Sequence, residues 1–118
     1  MTASSRPAFH LRLNLDDEAA IGPGKADLLQ AIAETGSISG AGRRLRMSYR
    51  RAWQLVEALN LDFGGDVVET LAGGKGGGGA RLTDRGNRIL ACYRRIQLSC
   101  AKAIASDLTA LKKLRTKR

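Results

Sequence analysis

The stretch that decides the fold runs from Ser37 to Phe63 and reads SISGAGRRLRMSYRRAWQLVEALNLDF. A serine at the start of a helix accepts a hydrogen bond from a free backbone N–H, so Ser39 can cap one short helix. Ser48 can cap the next helix, which is expected to run to about Asn60. Two helices separated by so few residues predict a helix-turn-helix.

The same stretch is strongly basic. No acidic residue occurs from Thr35 to Val56, whereas the window contains the arginines Arg43, Arg44, Arg46, Arg50 and Arg51. Arg50 and Arg51 fall in the first turn of the predicted helix, where the helix dipole disfavours each cation by about 0.3–1 kcal/mol. A helix start with this charge indicates an anionic partner, such as phosphates or base edges.

The helix after Ser48 is expected to have one core face and one polar face. The predicted core face carries Ala52, Leu55, Val56 and Leu59. The opposite face carries Arg50, Gln54 and Glu57, and arginine and glutamine are the side chains that pair bidentately with guanine and adenine in the major groove. Base contacts are therefore predicted for Arg50 and Gln54, and also for Arg51 at the edge of this face.

Two aromatic residues lie beside the same face. Trp53 is interpreted as a packing residue, because a lone tryptophan next to a core stripe usually buries its ring. Tyr49 projects between the core and the surface. For Tyr49 both a phosphate contact through the hydroxyl and plain packing remain open.

The upstream residues predict one strand and one helix. The segment Phe9–Leu15 alternates apolar and polar residues, as a half-buried strand does, and His10 lies on its polar face. The following DDEAAIGPG is expected to break regular structure. A helix is predicted from about Lys25 to Thr35, and Gly36 is placed to end it. Its apolar stripe carries Leu28, Leu29, Ile32 and Ala33.

Downstream, DVVETL and ARL predict a strand pair connected by the glycine run GGKGGGG, Gly73–Gly79. The run fails as a dinucleotide-binding fingerprint because a strand, not a helix, follows it. It also fails as a Walker loop, because Lys75 is followed by Gly76 rather than by serine or threonine. As the tip of a wing, the run would bring backbone N–H groups and Lys75 close to phosphates. The alternative, a loop that contacts nothing, stays open.

Thr83 can cap a last helix over about residues 84–114, with Ser99 and Ser106 as the positions where it could break. This helix would exceed about 40 Å, longer than a small domain can cover, so its apolar stripe predicts a homodimer interface. The predicted interface residues are Ile89, Tyr93, Ile96, Cys100, Ile104, Leu108 and Leu111. Cys92 and Cys100 lie about 12 Å apart along one helix and are expected to be buried or half-buried thiols in a reducing compartment, not a disulfide.

Composition narrows the classes of function. The 118 residues suffice for one domain, and the net charge of +9 with a pI near 10.4 indicates nucleic acid or an anionic membrane surface as partner. No apolar run approaches the ~20 residues that span a bilayer, and the N-terminus lacks a signal-peptide core. The residues provide no metal-binding set, no plausible acid–base pair and no nucleophile–histidine set, so neither a cofactor nor an enzyme is predicted.

Two segments carry a family resemblance: GSISGAGRRLRMSYRRAW, Gly36–Trp53, and GGKGGGGARLTDRG, Gly73–Gly86. In this order and spacing they resemble the N-terminal DNA-binding domain of the ModE family, the molybdate-responsive bacterial transcriptional regulators. The resemblance covers roughly Phe9 to Ile104. It implies a winged helix domain that dimerises, with the helix after Ser48 reading the major groove and the Gly73–Gly79 wing contacting the backbone or the minor groove.

The sequence departs from that family in two places. Arg46 stands at the turn of the helix-turn-helix where members often have glycine, so it must tolerate a strained conformation or a shifted turn. Full-length members also carry C-terminal molybdate-binding domains, whereas this chain ends at Arg118. Neither a response to molybdate nor any other small-molecule effector is therefore expected on this chain.

Together these features predict a mainly α fold with a small β-hairpin. It would be one winged helix-turn-helix domain over 1–118, with an N-terminal strand and a long C-terminal dimerisation helix. The predicted function is sequence-specific binding of double-stranded DNA by a homodimeric regulator in the bacterial cytoplasm, associated with the nucleoid. The alternative is a nucleic-acid-binding or architectural protein without sequence preference. Phosphate contacts are predicted for Ser48, Tyr49, Arg43, Arg44, Lys75, Gly76 and Gly77.

Overall fold

The computed structural model describes residues 7–72 and 78–116. Within these residues the helices are α1 (Pro23–Thr35), α2 (Ile38–Arg44), α3 (Tyr49–Asp62) and α4 (Asp84–Lys113). The strands are β1 (Leu13–Asn14), β2 (Ala20–Ile21), β3 (Val68–Thr70) and β4 (Ala80–Leu82), paired antiparallel as β1–β2 and β3–β4. This order confirms the predicted winged helix-turn-helix with its long last helix.

α1 ends as predicted and begins slightly earlier. Gly36 adopts φ 77°, a left-handed conformation that glycine reaches without a steric penalty, and its N–H donates to the carbonyl oxygen of Ile32 over 2.8 Å. Pro23 occupies the first turn, where its fixed φ suits a helix and its missing N–H is not needed. Ala33, predicted on the apolar stripe, is exposed.

The N-terminal strand is much shorter than the predicted Phe9–Leu15. Within the predicted segment, only the two residues of β1 form strand hydrogen bonds. They pair with a short return strand, β2, that the sequence did not indicate. The return begins at Asp16, whose Oδ1 accepts the N–H groups of Glu18 and Ala19, each over 2.8 Å. These two hydrogen bonds hold the pKa of the Asp16 carboxyl below its ordinary value. The segment that was expected to break regular structure therefore folds into a tight turn.

The core is built around α1. Leu28, Leu29 and Ile32 are fully buried there, and Val56, Leu59 and Val67 close over them from α3 and the chain before β3. The N-terminal segment is fastened to the same core by Tyr93 of α4, whose hydroxyl donates to the carbonyl oxygen of Leu11 over 2.6 Å.

α4 begins with the predicted cap and continues without a break across Ser99 and Ser106. Thr83 Oγ1 accepts the N–H of Gly86 over 3.0 Å. Gly86 packs so closely on Val67 that a β-carbon there would lie 2.1 Å from the Val67 carbonyl oxygen. In the described part of the chain, no helix combines the length and the apolar character that a membrane crossing requires.

The second half of α4 projects away from the core. The radius of gyration is 16.9 Å, whereas a compact domain of this length has one of roughly 13–14 Å. From Cys100 to Thr116 no residue is fully buried. Cys92, expected to be at least half-buried, is exposed, and Cys100 is half-buried as predicted.

Candidate nucleic-acid interface

The turn between α2 and α3 is fixed by its own backbone. Leu45 N–H donates to Ala41 over 3.0 Å, and Met47 N–H donates to Gly42 over 2.9 Å. At Gly42 a β-carbon would lie 3.3 Å from the Met47 carbonyl oxygen, so the chain passes close to α2 at this point. These contacts set the angle between the two helices.

Arg46 takes the strained conformation that the sequence left as one of two alternatives. Its φ is 59°, and in the described ranges it is the only residue other than glycine with a positive φ. A side chain in this region clashes with its own backbone, which is why glycine or asparagine usually occupies it. The turn is therefore not shifted to accommodate arginine.

The cap of α2 differs from the prediction. Ser37, not Ser39, is the capping residue, and its Oγ accepts the N–H of Gly40 over 2.8 Å. Ser37 directly follows Gly36, the residue that caps the end of α1, and α2 begins at Ile38, which leaves Ser39 inside the helix. There the Ser39 hydroxyl accepts a hydrogen bond from Arg43 over 2.9 Å.

The start of α3 follows the prediction. Ser48 is the capping residue, and its Oγ accepts the N–H of Arg51 over 3.0 Å. Because that bond uses a lone pair, the hydroxyl proton remains available to a further acceptor. Tyr49, Arg50 and Arg51 are exposed in the first turn. Neither arginine forms an ion pair within the described residues.

The two faces of α3 also lie as predicted. Ala52, Val56 and Leu59 are buried, and Leu55 is partly buried against the same core. Arg50, Gln54 and Glu57 are exposed. The structure thus presents Arg50 and Gln54 to solvent from one side of a helix that the core holds rigidly.

Tyr49 and Trp53 contact each other at the start of α3. Their ring centroids lie 6.2 Å apart with an interplanar angle of 76°, an edge-to-face arrangement. Trp53 is packed partly against the core, as predicted, while Tyr49 remains 58% exposed. The Tyr49 ring therefore packs against Trp53, while more than half of the residue stays accessible to solvent.

Arg43 and Arg44, at the end of α2, point to different partners. Arg44 forms an ion pair with Glu34 of α1, and both side chains are about half exposed. Hydrogen bonds from Gln30 and from Arg44 hold the pKa of Glu34 below its ordinary value. The sequence did not indicate this acidic neighbour, because Glu34 lies one residue outside the acid-free window that begins at Thr35.

The base of the wing lies against the helix-turn-helix. Leu71 N–H donates to Gly79 over 2.8 Å, and Ala80 N–H donates to the carbonyl oxygen of Gly36 over 2.9 Å. A cleft of about 170 Å³ separates the wing base from the starts of α2 and α3, lined among others by Ser39, Tyr49, Trp53, Leu71 and Gly79. The predicted contacts at Lys75, Gly76 and Gly77 lie outside the described residues.

Comparison with known proteins decides the family. Residues 25–87 match the family model of the bacterial regulatory helix-turn-helix proteins of the lysR family. The chain belongs to this family. Its matched region runs from the first turn of α1 to the first turn of α4.

Two relatives show that this LysR-type domain is a ModE-family helix-turn-helix domain. The molybdenum-pterin-binding protein MopB of Rhodobacter capsulatus is 43% identical over 75% of this chain and 33% of its own length. The DNA-binding transcriptional dual regulator ModE of Escherichia coli is 39% identical over 70% of this chain and 32% of its own length. The chain thus spans about a third of the length of these relatives.

A solved structure gives the same fold for the LysR-type domain. The complex of the CbnR DNA-binding domain with DNA aligns with a TM-score of 0.59 and 25% sequence identity. The alignment covers 75% of this chain and 95% of the CbnR chain.

A second surface of the LysR-type domain lies on α4, away from the start of α3. An open groove of about 840 Å³ runs between the first half of α4 and the N-terminal strands. Its apolar lining includes Leu13, Leu15, Ile21, Phe63, Ile89 and Ile96. Tyr93, predicted at a dimer interface, also lines the groove, but it is only 2% exposed and is already enclosed by the core of its own chain. The neighbouring Cys92 lines the groove too and is exposed.

Proposed function

We propose that the chain is a DNA-binding transcriptional regulator that reads sequence through α3 and acts as a homodimer on a two-fold related site. The observation that carries this proposal is the exposed first turn of α3, with Arg50 and Arg51 free of ion pairs among the described residues. A rigid helix that offers unneutralised arginines at its positive end is suited to the edges and phosphates of a DNA groove. The proposed setting is the nucleoid in the bacterial cytoplasm.

The relatives support the coarse part of this proposal. The E. coli relative is described as a DNA-binding transcriptional dual regulator, and the CbnR domain was solved in complex with DNA. Neither description implies catalysis, and we propose that this chain is not an enzyme.

Base contacts are assigned to Arg50 and Gln54, with Arg51 beside them. Each bidentate pair with a base contributes about 1–3 kcal/mol of discrimination against the wrong base. Removing either side chain should therefore weaken binding to the preferred site far more than binding to random DNA.

Phosphate contacts are assigned to the residues around this face. Ser48 retains a hydroxyl proton to donate, and Arg43 donates to the uncharged hydroxyl of Ser39 rather than to a carboxylate. Tyr49 presents an exposed phenol. The charge of Arg44 is partly neutralised by Glu34, so its contribution should be the smallest. Lys75, Gly76 and Gly77 complete the proposed set from the wing.

The homodimer is assigned to α4 because two unpartnered apolar surfaces lie along it. One is the groove beside its first half, and the other is the projecting second half, where Leu111 is 63% exposed and Leu114 is 78% exposed. If two α4 helices run antiparallel, the second half of each one covers the groove of the other. A parallel pair would leave both grooves open, so burial of apolar surface favours the antiparallel arrangement.

The test of DNA recognition is a competition assay across a salt series. A preferred site is first selected from random double-stranded DNA, and the affinity of each variant is then measured for that site and for a scrambled one. Arg50→Ala and Gln54→Ala should lose affinity mainly for the selected site. Lys75→Ala should weaken both about equally and reduce the slope of log affinity against log salt by roughly one for each phosphate that the lysine no longer neutralises. Failure to select any preferred sequence would favour the alternative, a nucleic-acid-binding protein without sequence preference.

The test of the homodimer uses two exposed leucines. Leu111→Glu changes the proposed interface, and Leu61→Glu places the same charge at a site that is 82% exposed at the end of α3. Light scattering should show a dimer for the wild type and for Leu61→Glu, and a monomer for Leu111→Glu. A wild-type monomer would contradict the proposed assembly.

A further inference from the structure

We propose that Arg46, in the turn of the helix-turn-helix, is a phosphate-contacting residue whose charge is retained at the expense of backbone strain. This inference rests on the proposed DNA binding and adds a residue that lies on neither face of α3. Its basis is the combination of an unfavourable backbone conformation, an exposed cation and a position beside the start of α3.

The turn imposes the backbone conformation of Arg46, and the strain arises because an arginine adopts it. Arg46 N–H donates to Arg43 over 3.2 Å, and the next residue, Met47, donates to Gly42 over 2.9 Å. These bonds would form in the same way with glycine at position 46, where φ 59° carries no steric penalty. Arginine at this position therefore destabilises the fold relative to glycine or asparagine.

Nothing in the described part of the chain compensates for this strain. The Arg46 side chain is exposed and makes no hydrogen bond or ion pair with a described residue. Three arginines elsewhere in the fold form ion pairs: Arg44 with Glu34, Arg81 with Glu69, and Arg94 with Asp27. Arg46 instead resembles Arg50 and Arg51, which form no ion pair among the described residues. A strained, exposed cation without a partner among residues 7–72 and 78–116 points to a partner outside the fold.

The position of Arg46 identifies the chemistry of that partner. Arg46 precedes the α3 cap Ser48 by two residues, which limits the distance between their α-carbons to about 7 Å. Duplex DNA carries one phosphate per ~1.7 Å of its axis, so a helix start that reaches base edges has phosphates on its flanks. A long cation in the turn before that helix is suited to one of these phosphates.

The test compares Arg46→Gly, Arg46→Asn and Arg46→Lys. Glycine and asparagine relieve the strain and remove the charge, whereas lysine keeps both the strain and the charge. Arg46→Gly and Arg46→Asn should raise the melting temperature by about 2–5 °C and weaken binding to all DNA sequences. Their slope of log affinity against log salt should fall by roughly one per protomer. Arg46→Lys should keep the wild-type slope without the rise in melting temperature.

A matched control removes one arginine far from the turn. Arg12 lies against Gly22, at the opposite end of α1 from the helix-turn-helix and about 20 Å away along that helix. Arg12→Ala should leave the salt slope unchanged, which separates a local contact from a change in net charge.

Three outcomes would overturn the proposal. If Arg46→Gly kept the wild-type slope while wild-type binding remained salt-dependent, Arg46 would not contact phosphate, and the proposed DNA function would stand. If Arg46→Gly and Arg46→Asn were no more stable than the wild type, the strain would not exist. A wild-type chain without any affinity for double-stranded DNA would overturn both this proposal and the proposed function.

Discussion

The backbone N–H of Ala80 in β4 donates to the carbonyl oxygen of Gly36 over 2.9 Å. Gly36 caps the end of α1 and is followed by Ser37, the cap of α2, so this bond ties the wing to the junction between these two helices. The wing and the helix-turn-helix, which are both proposed to contact DNA, are therefore joined directly by backbone. A change at this junction should affect both.

Gly79 is the residue at which that junction can be tested. A β-carbon on Gly79 would lie 3.0 Å from the Gly36 carbonyl oxygen, closer than most β-carbons approach a backbone oxygen. We expect Gly79→Ala to push β4 away from Gly36, to lower the free energy of unfolding by about 1–2 kcal/mol and to weaken DNA binding. Urea denaturation and a DNA titration would measure the two effects.

The control for Gly79→Ala is Gly24→Ala in the first turn of α1. No atom lies within 4 Å of the position that its β-carbon would take, and alanine is a better helix former than glycine. Gly24→Ala should therefore stabilise the fold by up to about 1 kcal/mol. Equal effects of the two substitutions would show that the Gly79 contact is not tight.

The contact between Gly86 and Val67 explains why the LTDRG segment of the family resemblance ends in glycine. The first turn of α4 approaches Val67 so closely that a β-carbon on Gly86 would lie 2.1 Å from the Val67 carbonyl oxygen. Because the obstacle is backbone, no side-chain rotation can relieve it. We expect Gly86→Ala to destabilise the fold by about 3 kcal/mol or more, measured by urea denaturation.

Asn87→Ala is the matched control for Gly86→Ala. Asn87 is the next residue of the same helix and is exposed, so alanine there should be neutral or slightly stabilising. A small effect of Gly86→Ala would mean that α4 can shift away from Val67 at little cost.

Tyr93 should make stability depend on pH in the alkaline range. Burial raises the pKa of Tyr93 above its ordinary value of 10.0, so the folded state binds the phenol proton more tightly than the unfolded state does. Stability from this group is present below pH 10.0 and is lost as the pH rises, because the unfolded chain ionises first. Tyr93→Phe should cost about 1–2 kcal/mol at neutral pH, since the Leu11 carbonyl loses its donor.

The difference between Tyr93→Phe and the wild type should therefore shrink above pH 10.0. Urea denaturation of both proteins on either side of that pH would measure it. Tyr49→Phe is the control at neutral pH, because it removes the same hydroxyl from a tyrosine that is 58% exposed. A constant difference between Tyr93→Phe and the wild type would contradict the burial of the phenol.

Features set by neighbouring residues could be predicted from the sequence. The cap at Ser48, the stop at Gly36, the cap at Thr83 and the two faces of α3 each depend on residues within one or two helical turns. Sequence periodicity and capping preferences act over that same range. They therefore also predicted which side of α3 is exposed.

Features set by distant contacts could not be predicted. The α2 cap is local, but Ser37 and Ser39 are both serines, so capping preference alone does not decide between them, and the structure shows that Ser37 is the cap. Tyr93 shares the periodicity of the α4 stripe, but its hydroxyl bonds to Leu11, which lies far away in the sequence. Periodicity alone cannot tell an intrachain face of a helix from an interchain one. The same limit hid the pairing of Arg44 with Glu34.

That pairing should restrain DNA binding. Glu34 is half exposed and stays ionised at neutral pH, since hydrogen bonds lower its pKa. In the proposed complex Glu34→Gln would free Arg44 and remove a negative charge near the phosphates. We expect affinity for all DNA sequences to rise about twofold to fivefold, with little change in stability, because an exposed ion pair contributes little to folding. Glu18→Gln, in the turn before β2, is the control and should leave affinity unchanged.

Two α4 helices are expected to meet with Cys100 at the centre of their interface. The proposed interface now consists of Ile89, Cys92, Ile96, Cys100, Ile104, Leu108 and Leu111, with Cys92 in place of the enclosed Tyr93. Cys100 stands in the middle of this stripe. In an antiparallel pair related by a two-fold axis, the residue in the middle meets its own copy, so Cys100 should lie beside Cys100 of the partner subunit.

A short thiol-reactive cross-linker should therefore join two subunits of the native protein through Cys100. Cross-linking should persist in Cys92→Ser and disappear in Cys100→Ser, as seen by denaturing gel electrophoresis. If both variants failed to cross-link, Cys92 would face Cys100 of the other subunit and the axis would pass near Ile96, midway between the two cysteines. If Cys100→Ser still cross-linked, Cys92 would lie beside its own copy, as in a parallel pair or in an antiparallel pair with its axis near Cys92, and either arrangement would contradict the proposed one. A dimer that no cysteine can cross-link would contradict the antiparallel arrangement, because the middle of the stripe would then lie outside the interface.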